Sequence, residues 1–133
     1  MSQELPIERI MQTALLTCEP ATPLSVAAAR MAERRCSSIL VVVAGKPVGI
    51  WTEHDALAVD FTDLAALQRP IAEVMSAPVA SLPRTATLGE AAMTLGSARR
   101  RHLLVVGDNG EPLARILHRK WKKRLKIGYN SRA

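Results

Sequence analysis

With 133 residues, 48% of them apolar and 3% aromatic, the chain is long enough for one compact domain or two packed half-domains, and its aliphatic character suits helices laid on short buried strands. The formal charge of +6 is not spread evenly: residues 1–114 carry 10 Lys and Arg against 12 Asp and Glu, a net of −2, whereas residues 115–133 carry 8 Lys and Arg and no acid. The basic character therefore belongs to the last 19 residues, and the body offers no electrostatic footprint for DNA or RNA.

The start, Met1–Met11, contains acids and no long apolar run, so it does not read as a signal peptide, and no stretch approaches the length of a membrane span. Two cysteines, Cys18 and Cys36, make neither a disulfide framework nor a metal-ligand pair. These features lead to the expectation of a cytoplasmic, reduced protein with no membrane partner.

The chain repeats itself. Shifted by 64 residues, Ile7 meets Ile71, Met11 meets Met75, Leu24 meets Leu88, Arg35 meets Arg99, and Leu40–Val42 meet Leu104–Val106. One extra residue near Asn109 changes the shift to 65, so that Gly45 meets Gly110 and Pro47 meets Pro112.

In chain order, each half opens with a short helical turn, Pro6–Met11 or Pro70–Met75, and a strand-like stretch, Leu15–Cys18 or Val79–Leu82. A helix follows, marked by Pro23 or Thr87 and running Leu24–Arg35 or Leu88–Arg99. Leu24, Ala27, Ala28 and Met31 fall on one face of the first helix; Leu88, Ala91, Ala92 and Leu95 fall on one face of the second. The runs Ser38–Val43 and His102–Val106 suit strands buried on both faces. Glycine turns at Ala44–Lys46 and Gly107–Gly110 suit hairpins. In the first half, Pro47–Trp51 is the partner strand, Thr52 opens a helix through about Val59, and Asp60–Arg69 is a linker. The predicted unit is β-α-β-β-α, twice, an α/β fold.

Several marks together resemble the CBS-domain family: Ile-x-x-Ile-Met at Ile7–Met11 and Ile-x-x-Val-Met at Ile71–Met75, the Ala-rich helix before an apolar strand, and the run from Gly45 through Gly49 and Thr52 to Asp55. The resemblance covers roughly residues 5–113. It implies two CBS repeats related by a pseudo-twofold axis, with repeat 1 and its linker in 1–66, repeat 2 with an incomplete motif in 67–117, and an atypical basic tail in 118–133. It further implies a regulatory module with no required cofactor. The module would bind an adenosine-containing ligand (AMP, ADP, ATP or S-adenosylmethionine) and form a homodimer through its helices. A ligand-free dimerisation module is the alternative, and binding of nucleic acid or an anionic surface through the basic tail is a third reading.

Thr52 and Asp55 match the family's Thr-x-x-Asp, with Asp55 placed for ribose hydroxyls and Thr52 for a phosphate at a helix N-terminus. The same pattern is also a capping box that needs no ligand, and the two roles are compatible. Leu16, Thr17 and Cys18 match the strand whose backbone faces the adenine. Ser37, Ser38 and Ile39 match the segment that helps line the same pocket. Ordinary strand packing is the plain reading of all six. Arg101 and His102, with Arg99 and Arg100, form a cluster that could receive phosphates or simply end a helix in solvent.

No catalytic or metal-binding constellation is expected. His54, His102 and His118 lack ligand spacing, and there is no phosphate-binding glycine loop. In the second half, Leu117 stands where Thr52 stands and Lys120 where Asp55 stands, so a second nucleotide site of the usual kind is not expected. The change of composition over Ile116–Ala133, with the loss of repeat register after Leu113, is what a frameshift, a truncation or vector read-through would produce; a native tail reads as a basic amphipathic helix over Leu117–Lys126 or as a solvated, partly helical end.

Overall fold

The computed structural model describes residues 6–7, 11–97 and 102–117. Its elements run β1 (Thr17–Cys18), α1 (Leu24–Arg34), β2 (Ser38–Val43), β3 (Lys46–Thr52), α2 (Glu53–Ala56), α3 (Leu64–Leu67), a 3₁₀ turn (Ile71–Glu73), β4 (Ser81–Pro83), α4 (Leu88–Ser97), β5 (His102–Val106) and β6 (Pro112–Leu117). The strands form two three-stranded sheets, β1-β2-β3 and β4-β5-β6. In each the first pair is parallel and the second antiparallel. The expected mixed α/β repeat is the fold observed.

Strand pairing carries the repeat to the level of single residues. Thr17 pairs with Leu40 and Ser81 with Leu104; Ser38 pairs with Thr52 and His102 with Leu117. Both hairpins shift register at the same place, between Val41 and Val42 and between Val105 and Val106. The helix expected after β6 falls outside the described residues, as does the tail 118–133.

The compact units do not coincide with the sequence repeats. One comprises residues 15–79 and the other residues 1–14 with 80–133. Ile71, from the lead-in to the second repeat, is fully buried in the core of the first unit with Leu24, Ala27, Met31, Ile39, Val41 and Trp51. Ile7, from the lead-in to the first repeat, is fully buried with Leu88, Ala91, Leu95, Leu103, Val105 and Ile116.

Backbone bonds repeat the exchange. Ser76 and Ile50 donate to each other's carbonyls at 2.8 and 3.0 Å, and Gln12 and Arg115 do so at 2.9 and 3.0 Å. Each half of the chain therefore supplies the segment that closes the other half's core.

Volume is rebalanced between the two cores. The second sheet has Ala114 and Ile116, both fully buried, where the first has Gly49 and Trp51. A Cβ at Gly49 would collide with the Met75 side chain, whose thioether takes the space a side chain would fill. Met11 packs against the other core. Both methionines fill gaps beside their clusters.

Local chemistry explains where the elements stop. Helix α1 ends with Arg35 in the left-handed region at φ 54°, its N–H donating to carbonyls of the last turn. The helix expected from Thr52 to about Val59 is shorter, Glu53–Ala56, and continues as turns in which Ala58 and Val59 donate three residues back. Asp60 ends it by turning its carboxylate to the Thr62 N–H and hydroxyl at 2.9 and 2.6 Å. These bonds hold the Asp60 carboxyl below its ordinary range. The expected linker contains a helix of its own, α3, capped by Asp63 accepting from the Ala65 N–H at 3.0 Å. Among the described residues no helix is long and apolar enough to cross a membrane.

The β2–β3 hairpin turns through Ala44 at φ 51° and Gly45 at φ 79°. Two positive φ values in a two-residue loop match the twist of the strands, but the Cβ of Ala44 is strained there. Ala44→Asn is expected to raise stability by about 0.5–1 kcal/mol, read as a higher denaturant midpoint at unchanged m-value.

Candidate functional site

Polar groups gather where β2 begins and β3 ends. Ser38 pairs with Thr52, and the Glu53 N–H donates to the Ser37 carbonyl at 2.9 Å. The segment entering β2 is thereby tied to the turn leaving β3.

Strand alternation assigns the faces. Cys18, Ile39, Val41 and Trp51 lie in the core with the α1 residues. Their strand neighbours Thr17, Ser38, Leu40 and Thr52 therefore direct their side chains to the opposite face. The side chains of Cys18 and Ile39 are thus core, and only their backbone can meet a ligand. Leu16 packs half-buried against the same core, and its carbonyl accepts from the Leu40 N–H at 2.9 Å. In a parallel ladder that pattern turns the backbone groups of exposed Thr17 to the outer edge of the sheet.

Thr52 and Asp55, both half-buried, are joined by three hydrogen bonds. The Thr52 N–H and hydroxyl donate to Asp55 Oδ2 at 2.9 and 3.1 Å, and the Asp55 N–H donates to Thr52 Oγ1 at 3.2 Å. This is a reciprocal capping box. Helix α2 has four residues, and its first turn spends donors internally. The phosphate role expected for Thr52 meets a hydroxyl already donating to Asp55. The ribose role expected for Asp55 keeps an oxygen for it, because Oδ1 accepts nothing from the described residues. Nearby, Ser37 Oγ is buried and has no hydrogen-bond partner among the described residues.

The site residues expected from the sequence divide between the units. Leu16, Thr17, Cys18, Ser37, Ser38, Ile39, Thr52 and Asp55 come together in the first unit. His102 lies in the other, half-buried at the start of β5, and Arg101 lies outside the described residues with Arg99 and Arg100. At the corresponding corner of that unit Leu117 pairs with His102, so no hydroxyl stands where Thr52 does; Lys120 lies outside the described residues.

Sequence reasoning did not find the shallow groove of about 380 Å³ on the α1 side of the first sheet. It is lined by Ala28, Ala32, Arg35, Cys36 and Glu53 among others. The small residues at 28 and 32, one turn apart, were its only legible signal. Among the described residues no group of three or more His, Cys, Asp or Glu could hold a metal ion.

The CBS domain family profile matches residues 7–61 and 71–120. No curated protein matches the chain significantly. Solved structures with the same fold include a conserved protein from Pyrococcus horikoshii, with a TM-score of 0.80 at 22% identity over 92% of this chain and 93% of that one. CBSX2 in complex with AMP gives 0.76 at 21% identity over 93% and 98%. The CBS domain pair of MJ0100, in complex with 5′-methylthioadenosine and S-adenosyl-L-methionine, gives 0.75 at 18% identity over 89% and 97%.

Burial pushes the Cys18 thiol above its ordinary value, partly opposed by a hydrogen bond with Thr22. Cys36 is only half-buried. Alkylation of the native protein near pH 8, followed by peptide mapping, is expected to modify Cys36 at least about tenfold faster than Cys18.

Proposed function

Because this chain belongs to the CBS-domain family and carries the domain twice, we propose that it is a regulatory module. It binds an adenosine-containing ligand at the first-repeat corner and passes the binding on to a partner or an attached domain. One observation carries the reading. Among the described residues, a carboxylate oxygen of Asp55 without a hydrogen bond and a buried hydroxyl of Ser37 without a partner stand at the same corner of the sheet, tied together by the Glu53–Ser37 hydrogen bond. A carboxylate accepts both hydroxyls of a ribose, and the outward backbone edge at Thr17 suits the hydrogen-bonding rim of a purine. Proteins of the same fold hold AMP in one case and 5′-methylthioadenosine and S-adenosyl-L-methionine in another, which supports this ligand class.

The corner with Leu117 lacks the paired hydroxyl. Binding regulates a partner only if the ligand prefers one of two states of the module, so affinity and effect are linked.

A ligand-free homodimer is the second reading. The observation that favours it is the exposure of large apolar side chains, with Leu57 at 83% and Leu64 and Met93 each at 75%.

Calorimetric titration of AMP and S-adenosylmethionine into the wild type and Asp55→Asn separates the two. Saturable binding that weakens at least about tenfold in the mutant, with its helix content unchanged, is the expected result. Absence of heat with both ligands, in a protein that sediments as a dimer, would favour the structural reading.

A further inference from the structure

We infer that the segment Leu57–Asp63 is a processing site, where an endoprotease selective for large apolar side chains severs the chain without dismantling it. The inference is independent of any ligand. It rests on how the segment is held and on which side of it each core draws its residues.

A protease takes its substrate as an extended strand, so a cleavage site must open locally, and exposed connections open at least cost. The backbone bonds within this segment are local. The Ala58 and Val59 N–H groups donate to the Asp55 and Ala56 carbonyls at 3.1 Å, and the Asp63 N–H donates to the Asp60 carbonyl at 3.1 Å. Val59 packs against the core, whereas Leu57 and Phe61 are exposed. The chain has four aromatic residues. Trp51 is buried in β3, and Trp121 and Tyr129 lie outside the described residues. Phe61, at 46%, is thus the one exposed aromatic among the described residues.

A cut after Phe61 gives fragments 1–61 and 62–133, and both cores straddle it. One core joins Leu24, Ile39 and Trp51 of the first fragment to Ile71 of the second. The other joins Ile7 of the first fragment to Leu88, Leu103 and Ile116 of the second. Backbone bonds cross the same divide. The Leu24 N–H donates to the Arg69 carbonyl at 3.0 Å and the Ile71 N–H to the Thr22 carbonyl at 2.8 Å, in addition to the Ile50–Ser76 and Gln12–Arg115 pairs. Separating the fragments would expose both fully buried isoleucines and the apolar surface around them to water. Repeats closed in chain order would instead be released by the same cut. The corner built from Leu16–Cys18, Ser37–Ile39 and Thr52–Asp55 lies wholly within fragment 1–61, and the cut falls six residues beyond it.

Brief chymotrypsin treatment of the native full chain tests this, with mass spectrometry of the products and size-exclusion chromatography of the quenched digest. The expected first cut within residues 11–117 falls between Leu57 and Leu64, chiefly after Phe61. The two fragments should co-elute at the volume of the intact chain, separate in urea, and return to that volume when the urea is removed. Phe61→Ser should slow cleavage after residue 61 by about tenfold or more, since the apolar side chain that fills the protease pocket is gone. Separate elution or precipitation of either fragment in native buffer would overturn the inference, as would a first cut elsewhere within residues 11–117.

Discussion

Burial of one isoleucine from each lead-in is the constraint on which both cores depend. Ile7 and Ile71 are completely enclosed, each among residues that lie far from it in the chain. Small three-stranded sheets under a single helix bury little apolar surface by themselves. A lead-in that caps the open end of the core and adds a pair of backbone hydrogen bonds, Ser76 with Ile50 and Gln12 with Arg115, completes what the repeat lacks. Because each lead-in comes from the other repeat, neither repeat is a complete folding unit in sequence order. Backbone anchoring fixes the geometry further: Ile71 and Ala72 donate to the Thr22 and Pro20 carbonyls at 2.8 and 3.1 Å, just beyond β1.

That anchoring matters for the site because it acts on the same short strand. β1 has two residues and one neighbour in the sheet. Its position is set by the pairing with β2 on one side and by the bonds from the lead-in shortly after it. The corner built by Leu16–Cys18, Ser37–Ile39 and the Thr52–Asp55 turn is therefore supported from below by a core that the lead-in closes. At the corner itself the capping box joins Thr52 and Asp55 by three bonds and holds the Asp55 carboxylate through Oδ2.

Much of this was legible in the residues. The 64-residue repeat, and its change to 65 after Asn109, reappear in the strand register, down to the matched shifts at Val41 and Val105. Thr52 and Asp55 stand out by matching the family's Thr-x-x-Asp, a spacing that is also a local cap, and the structure makes that cap. The exchange of lead-ins was not legible, since Ile-x-x-Ile-Met announces an apolar turn but not which core receives it. Ile39 is a candidate through the family's match to the segment entering β2, and the continuous apolar run there does not say which residues face α1; its side chain lies in the core. The end of α1 was blurred because the left-handed position is held by Arg35 rather than by glycine. Helix α3 was missed, although Asp63 before Leu-Ala-Ala-Leu is an N-cap ahead of strong helix formers.

Amide hydrogen exchange on Ile7→Ala and Ile71→Ala tests the exchanged cores most directly. Removing a fully buried isoleucine side chain costs about 2–5 kcal/mol where the cavity cannot collapse, and local opening reports where that cost falls. The account requires Ile7→Ala to lower protection chiefly at Leu103–Val105 and Ile116, and Ile71→Ala to lower it chiefly at Ile39–Val41 and Trp51. Loss of protection in the reverse pattern, with each substitution loosening the repeat that follows it in the chain, would contradict it.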